Sequence, residues 1–232
     1  MNFLKDKKSF VLLILAGFFI TNAIVAEMIG SKLIHFGGPF VNAVSLVLWP
    51  FVFILTDILN EYYGKEVVRK LTFITVALIA YVFLILWVAI QIPAVNFSPV
   101  TDTDFNHVFG QSMYMIVASM SAFVASQMVD SFVFWIVRKR TGSKMMWLRA
   151  TSSTVVSQLV DTFIVQFVAF VLPGVWSYSE FAKNASFAYI LKIIIALLLI
   201  PLILILHKIL DSYFGEEESK KIIEKTAKDS LD

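Results

Sequence analysis

The sequence predicts an all-α polytopic membrane protein, a bundle of six transmembrane helices with N-in/C-in topology. Three observations predict it. Hydrophobic residues make up 59% of the 232 and charged residues 16%, with a mean hydropathy of +0.81. A soluble domain carries about 25% charged residues and could not enclose so many apolar side chains at this length. Next, six stretches approach the about 20 apolar residues that a helix needs to cross a bilayer. Finally, the basic residues fall mostly on one side of those stretches, which sets orientation. The same composition excludes disorder for nearly the whole chain. A net charge of +2 with no basic stripe argues against a nucleic-acid partner. The chain has no Cys, hence no disulfide framework and no thiolate chemistry.

The spans follow in order. Stretches 10–26, 36–56 and 71–92 carry no charge. Stretch 112–137 holds one acid, Asp130, and 150–172 holds another, Asp161. Stretch 186–206 has Lys192 near its start. Continuous runs of this kind are not the short alternating segments of a barrel. Lys5, Lys7 and Lys8 before the first run resemble the start of a signal peptide. The run exceeds a signal h-region and five spans follow, so it is read as a span.

On the cytoplasmic side this topology places Lys5, Lys7 and Lys8; Lys65, Arg69 and Lys70; Arg138, Lys139, Arg140, Lys144 and Arg149; and Lys208 with the tail lysines. Only Lys32, Lys183 and Lys192 fall on the other side. Residues 1–214 form the membrane domain, and 215–232 an exposed cytoplasmic tail. In that tail Glu216 with Lys220, Glu217 with Lys221 and Glu224 with Lys228 make i,i+4 pairs of a solvated helix. The outer stretch 93–110, with Asp102, Asp104 and His107, reads as a solvated loop or a lid, the first being favoured. Pro50 predicts a kink after Trp49, and Pro201 a kink in the sixth helix.

Ionisable groups within spans are costly, at least ~2.5–3.5 kcal/mol each on insertion scales. They are therefore functional candidates. The strongest feature is a repeat, Ser-Gln-x-Val-Asp-[Ser/Thr]-Phe, starting at Ser126 and again 31 residues later at Ser157. Gln127 with Asp130, and Gln158 with Asp161, are three apart and share a helix face. The two helices are antiparallel neighbours across a short basic loop. Counted from that loop, Asp130 is level with Gln158 and Gln127 with Asp161, roughly 12–18 Å deep. Ser119, Ala122 and Ser126 on one helix, and Ser153, Thr154 and Ser157 on the other, permit close approach. Such a quartet serves either as interhelical glue or as a ligand site. Glue does not need two carboxylic acids, which favours the ligand site.

A second constellation ends helix two: Asp57, Asn60 and Glu61 share one face. It suits a gate, a coupling site or a helix-end charge cluster at the interface. Helix one adds Asn22 and Glu27. His35, His107 and His207 lack ligand spacing, so no metal and no cofactor is expected.

Carboxylate plus carboxamide suits a flat, polar heterocycle. A carboxylate accepts two adjacent N–H donors, and a carboxamide both donates and accepts. Phe132, Trp135 and Phe163 are candidates to stack on such a ring. Two acids would also favour a cation, or carry a proton.

These residues bring a resemblance. Thr56-Asp57, the Asp-x-x-Asn-Glu-x-Tyr-Gly stretch from Asp57 to Gly64, and the two Ser-Gln-x-x-Asp repeats are similar to the queuosine precursor transporter family. That family is also described as vitamin uptake transporters. The second repeat, introduced by Arg149 and Ser152-Ser153-Thr154, resembles its best-defined segment. The resemblance covers most of the chain and implies an importer of 7-deazaguanine bases in the bacterial inner membrane. It carries over to Asp57, Gln127, Asp130, Gln158 and Asp161. The substrate-binding candidates are then Asp161, Asp130, Gln158, Gln127, Ser157, Ser126, Asn22 and Glu27. The gating or coupling candidates are Asp57, Asn60, Glu61 and Arg149. The expected partners are a small-molecule base, the lipid bilayer and a second copy of the chain.

Three alternatives remain open, one of them a purely structural membrane protein. A substrate-binding subunit of an energy-coupling-factor importer would need an ATPase partner, since the chain has no phosphate-binding G-x-x-x-x-G-K-[S/T] loop. An intramembrane aspartyl protease would need its two acids level, which Asp130 and Asp161 are not. The reading is therefore not an enzyme.

Overall fold

A computed structural model describes residues 6–36, 41–110, 113–141 and 145–228. Lys5, Lys144 and Ser112, the expected start of the fourth span, lie outside these. Among the described residues, six helices are long and apolar enough to cross a membrane, as the sequence predicts.

Helix α1, Lys7–Ile29, is capped by Asp6, whose carboxylate accepts from the Ser9 amide at 2.9 Å. A short hairpin follows, β1 (Leu33–His35) antiparallel to β2 (Val41–Ala43), with Ile34 opposite Asn42. One 3₁₀ turn, Val44–Val47, leads into α2, Trp49–Tyr63. The expected kink at Pro50 is thus a helix start. Proline lacks an amide hydrogen and is tolerated in a first turn, where that donor has no partner anyway.

Gly64, at φ 86°, makes the sharp turn into α3, Lys65–Ile90. The loop beyond it contains a short exposed helix, α4, Asp102–Phe109. Helices α5 (Met113–Thr141) and α6 (Met146–Gln166) form the most extensively packed pair. Small residues are buried on both helices, Ala118, Ala122 and Ser126 on α5 and Ala150, Ser153 and Ser157 on α6. Without a solvent-driven hydrophobic force, membrane helices associate through the close approach that small residues permit. Helix α6 continues as a π turn, Phe167–Val171.

The sixth span differs from its expected bounds. Helix α7 runs Tyr178–Leu198, and α8 runs Ile200–Phe214 with Pro201 in its first turn. The Ser177–Glu180 capping box starts α7 in polar sequence, ahead of the hydropathy maximum. Lys192 is therefore well inside the span rather than near its outer start.

Helix α9, Glu216–Lys228, follows Gly215. Its charged face is exposed, while Ser219, Ile222, Ile223 and Thr226 are buried, and it packs on α2 and α8. The start of α1 and the end of α8 meet on one face, where Lys7 Nζ donates to the Tyr213 carbonyl at 3.0 Å. Phe18, Tyr81, Leu84, Trp87 and Phe132 face outward, as lipid contact requires.

Candidate functional site

A cavity of about 480 Å³ opens toward the hairpin, on the face opposite the chain ends. It is built by α1, α2, α5, α6 and α7. Glu27 reaches it from α1 and accepts a hydrogen bond from Ser119 of α5. Asp161 reaches it from α6, and Lys192 from α7 donates to Asp161 Oδ2 at 2.6 Å. Ser126 of α5 touches the other oxygen of Asp161 at 3.5 Å. Gln166, Thr162 and Asn184 add polar groups. Trp49 forms one aromatic wall, and Phe170 with Trp176 another. The last two stack at 4.1 Å between centroids, 16° from parallel. Phe170 owes its position to the π turn, an irregularity frequent at functional sites.

Below the cavity, toward the chain ends, lies a closed polar layer. Ser157 of α6 donates to Asp130 Oδ1 of α5 at 2.9 Å. Thr56 of α2 donates to Gln127 Oε1 at 3.0 Å, and Ser153 to Asp57 Oδ1 at 3.2 Å. Gln158 is fully buried here as well. The repeat thus pairs reciprocally: the serine of each copy faces the aspartate of the other.

At the bottom, Arg149 Nη2 donates to both carboxylate oxygens of Glu61 at 2.8 Å. Arg138 lies 3.4 Å from the same carboxylate and donates to the Ile223 carbonyl of α9 at 2.7 Å. Asn60 donates to Ser131 at 3.3 Å. This cluster ties α2, α5, α6 and α9 together.

The expected substrate residues therefore separate. Asp161 and Glu27 line the cavity; Asp130, Gln127, Gln158 and Ser157 lie in the layer beneath, and Ser126 touches both. Asn22 is elsewhere. Its amide donates to the Phe18 carbonyl at 2.8 Å, and it lines an apolar groove between α1, α2 and α8. The expected aromatic set is corrected too. Phe132 is 67% exposed on the outer surface. Trp135 stacks under Arg138 at 4.7 Å, and Phe163 packs on Phe181 at 5.6 Å. None of the three lines the cavity.

Sequence reasoning missed Lys192 as the partner of Asp161, and also Gln166, Asn184 and Trp176. A lysine inside an otherwise apolar run was the available signal for Lys192. Arg138, read only as a loop charge, is 3% exposed and part of the bottom cluster.

Comparison with known proteins agrees with this architecture. The family model described as "Putative vitamin uptake transporter" matches residues 43–206. The "Probable queuosine precursor transporter" of Bacillus subtilis (strain 168) is 31% identical over 157 residues, 67% of each chain. A protein of the same name from Haemophilus influenzae is 28% identical over 155 residues, 65% of this chain and 62% of that one. The "Queuosine precursor transporter" of Escherichia coli (strain K12) is 26% identical over 161 residues, 64% of this chain and 65% of that one. The matches thus span 62–67% of these relatives' own lengths. No solved structure matches. The chain is a membrane transporter, not an enzyme, and it belongs to the vitamin uptake transporter family that holds the queuosine precursor transporters.

Proposed function

We propose that this transporter imports a 7-deazaguanine base, a precursor of queuosine, and binds it in the cavity at Asp161. The observation that carries the reading is the convergence of Asp161, Lys192, Glu27 and Gln166 on one aromatic-walled cavity. Its volume falls in the range of about 300–1,000 Å³ usual for small-molecule pockets. A carboxylate accepts the adjacent ring N–H and exocyclic amine of a deazaguanine. A carboxamide such as that of Gln166 donates to its carbonyl. The stacked Phe170 and Trp176 offer a ring face. Two acids facing one lysine leave net negative charge, which suits the cationic aminomethyl form.

In this reading Asp130, Gln127, Gln158, Ser157 and Ser126 form the path beneath the cavity. Asp57, Asn60, Glu61 and Arg149, joined by Arg138, close its far end. Both termini lie in the cytoplasm of a bacterial cell, and the cavity faces outward across the inner membrane.

Two measurements test it. Asp161→Asn abolishes uptake of labelled 7-aminomethyl-7-deazaguanine by cells while the protein still inserts; unchanged uptake removes the site. Single cysteines at Asp104 and Lys220 test orientation. The first reacts with an impermeant maleimide on intact cells, the second only after permeabilisation, and the reverse pattern overturns the topology.

A further inference from the structure

Among the described residues, the spanning helices bury five acids and three bases: Glu27, Asp57, Glu61, Asp130 and Asp161 against Arg138, Arg149 and Lys192. Lys192 pairs with Asp161 beside Glu27 at the cavity. Arg149 and Arg138 both converge on Glu61. Asp57 and Asp130 have no ion pair among the described residues, and both are fully buried.

These two acids lie together. Ser153 donates to Asp57 Oδ1 at 3.2 Å, and Ser157, one turn along the same helix, donates to Asp130 Oδ1 at 2.9 Å. On α2 and α5 they lie between two hydrogen bonds that join these helices, Thr56 to Gln127 at 3.0 Å and Asn60 to Ser131 at 3.3 Å. Each keeps one oxygen, Oδ2, with no hydrogen-bond partner among the described residues. The Gln127 Nε2 amide and both polar atoms of Gln158, fully buried in the same layer, are likewise unpartnered.

Two carboxylates held on successive turns of one buried polar layer do not both ionise at neutral pH. The surrounding charges sharpen the point. Glu61 on α2, Arg149 on α6 and Arg138 on α5 lie on the chain-end side. Asp161 with Lys192 of α7, and Glu27 of α1, lie on the cavity side. Helix α3 contributes the hydroxyls of Thr72 and Thr75, which bond its own backbone. With Asp57, Asp130 and Glu61 against Arg138 and Arg149, the lower group carries one negative charge in excess, so a single proton neutralises it. The cavity lining does not include Asp57 or Asp130. A hard metal cation needs about six oxygen ligands and the room to hold them; a proton needs none.

We propose that Asp57 and Asp130 share one proton, and that loading and unloading this pair couples import to the proton gradient at a site separate from the substrate cavity. Singly protonated, the pair keeps one negative charge, which together with that of Glu61 is balanced by Arg138 and Arg149, and α2 closes against α5. Deprotonated, the two charges repel and drive those helices apart. The coupling part rests on the import reading above; the shared proton does not.

The experiment uses the full chain in proteoliposomes with the membrane potential clamped. Labelled 7-aminomethyl-7-deazaguanine accumulates about tenfold per imposed pH unit, the equivalent of one proton. In Asp57→Asn the accumulation ratio no longer depends on the pH gradient. A pH response equal to wild type in that variant overturns the proposal, as does accumulation that follows a sodium gradient instead. A second arm needs no substrate. Infrared difference spectra of the purified protein at neutral pH show a protonated-carboxyl band that Asp57→Asn and Asp130→Asn each remove. A band untouched by both substitutions overturns the shared proton. If wild type moves no base at all, the substrate reading fails, and the infrared arm still decides the proton site.

Discussion

Lys192 Nζ lies 2.6 Å from Asp161 Oδ2, joining α7 to α6 inside the spanning bundle. Both side chains are nearly withdrawn from the surface. Removing one partner of such a pair leaves an uncompensated buried charge, at about 3–5 kcal/mol. Removing both charges together avoids that penalty. Lys192→Gln therefore lowers thermal stability in detergent, and Asp161→Asn/Lys192→Gln restores most of it without restoring uptake. A double variant as unstable as the single one would show that the pair is not the source of the loss.

The stacked Phe170 and Trp176 wall the cavity. An aromatic contact of this kind contributes about 0.5–1.5 kcal/mol beyond its buried area. Trp176→Ala thus raises the KM for the labelled base by roughly two- to tenfold, since 1.4 kcal/mol is a factor of ten. Phe132→Ala, on the outer surface, leaves KM unchanged. Concentration curves of initial uptake distinguish the two, and equal effects would refute the assignment of the wall.

Much of the site was legible because polar residues inside apolar spans stand out. The Ser126 and Ser157 repeat gave the α5–α6 register, and the reciprocal contacts to Asp161 and Asp130 follow from it. Helix rotation was not legible. Lipid and bundle interior are both apolar, so a spanning helix shows little 3.6-residue contrast, and Phe132 could not be told from a cavity residue. Lys192 was misplaced because hydropathy locates the middle of an apolar run and not its capping box. Docking of α9 was hidden for a different reason. Its charges satisfy i,i+4 spacing whether or not Ile222 and Ile223 are covered.

Asp6 gives a pH dependence outside the membrane. Hydrogen bonds from the Ser9 side chain and amide hold its carboxyl below the ordinary carboxylate value. A depressed folded-state pKa means that the cap contributes fully above the unfolded pKa and is lost as pH falls through the folded one. Protection of the first-turn amides of α1, taken relative to their intrinsic exchange rate at each pH, should therefore fall in the acid range below that ordinary value and stay constant above it. In Asp6→Asn, which caps without titrating, the acid-dependent change disappears. Persistence of the same change in that variant would assign it to another group.

Arg138 ties the bottom of the polar column to α9. Its guanidinium is buried, faces Glu61 at 3.4 Å and donates to the Ile223 carbonyl at 2.7 Å. Thr226 adds a bond to the Tyr62 carbonyl at 3.1 Å. Helix α9 thus covers the end of α2, with Asn60 and Ser131 bonded to each other behind it. A charge at Ile223, which is 6% exposed and part of the apolar core, cannot stay buried there, so Ile223→Asp should undock the helix. The chain contains no Cys, so a single Ser131→Cys reports access without background. That thiol is shielded from maleimide applied to the chain-end face in the parent, and becomes reactive when Ile223→Asp is added. Glu224→Ala, on the exposed face of α9, leaves it shielded. Equal labelling with and without Ile223→Asp would mean that α9 does not close this end of the column.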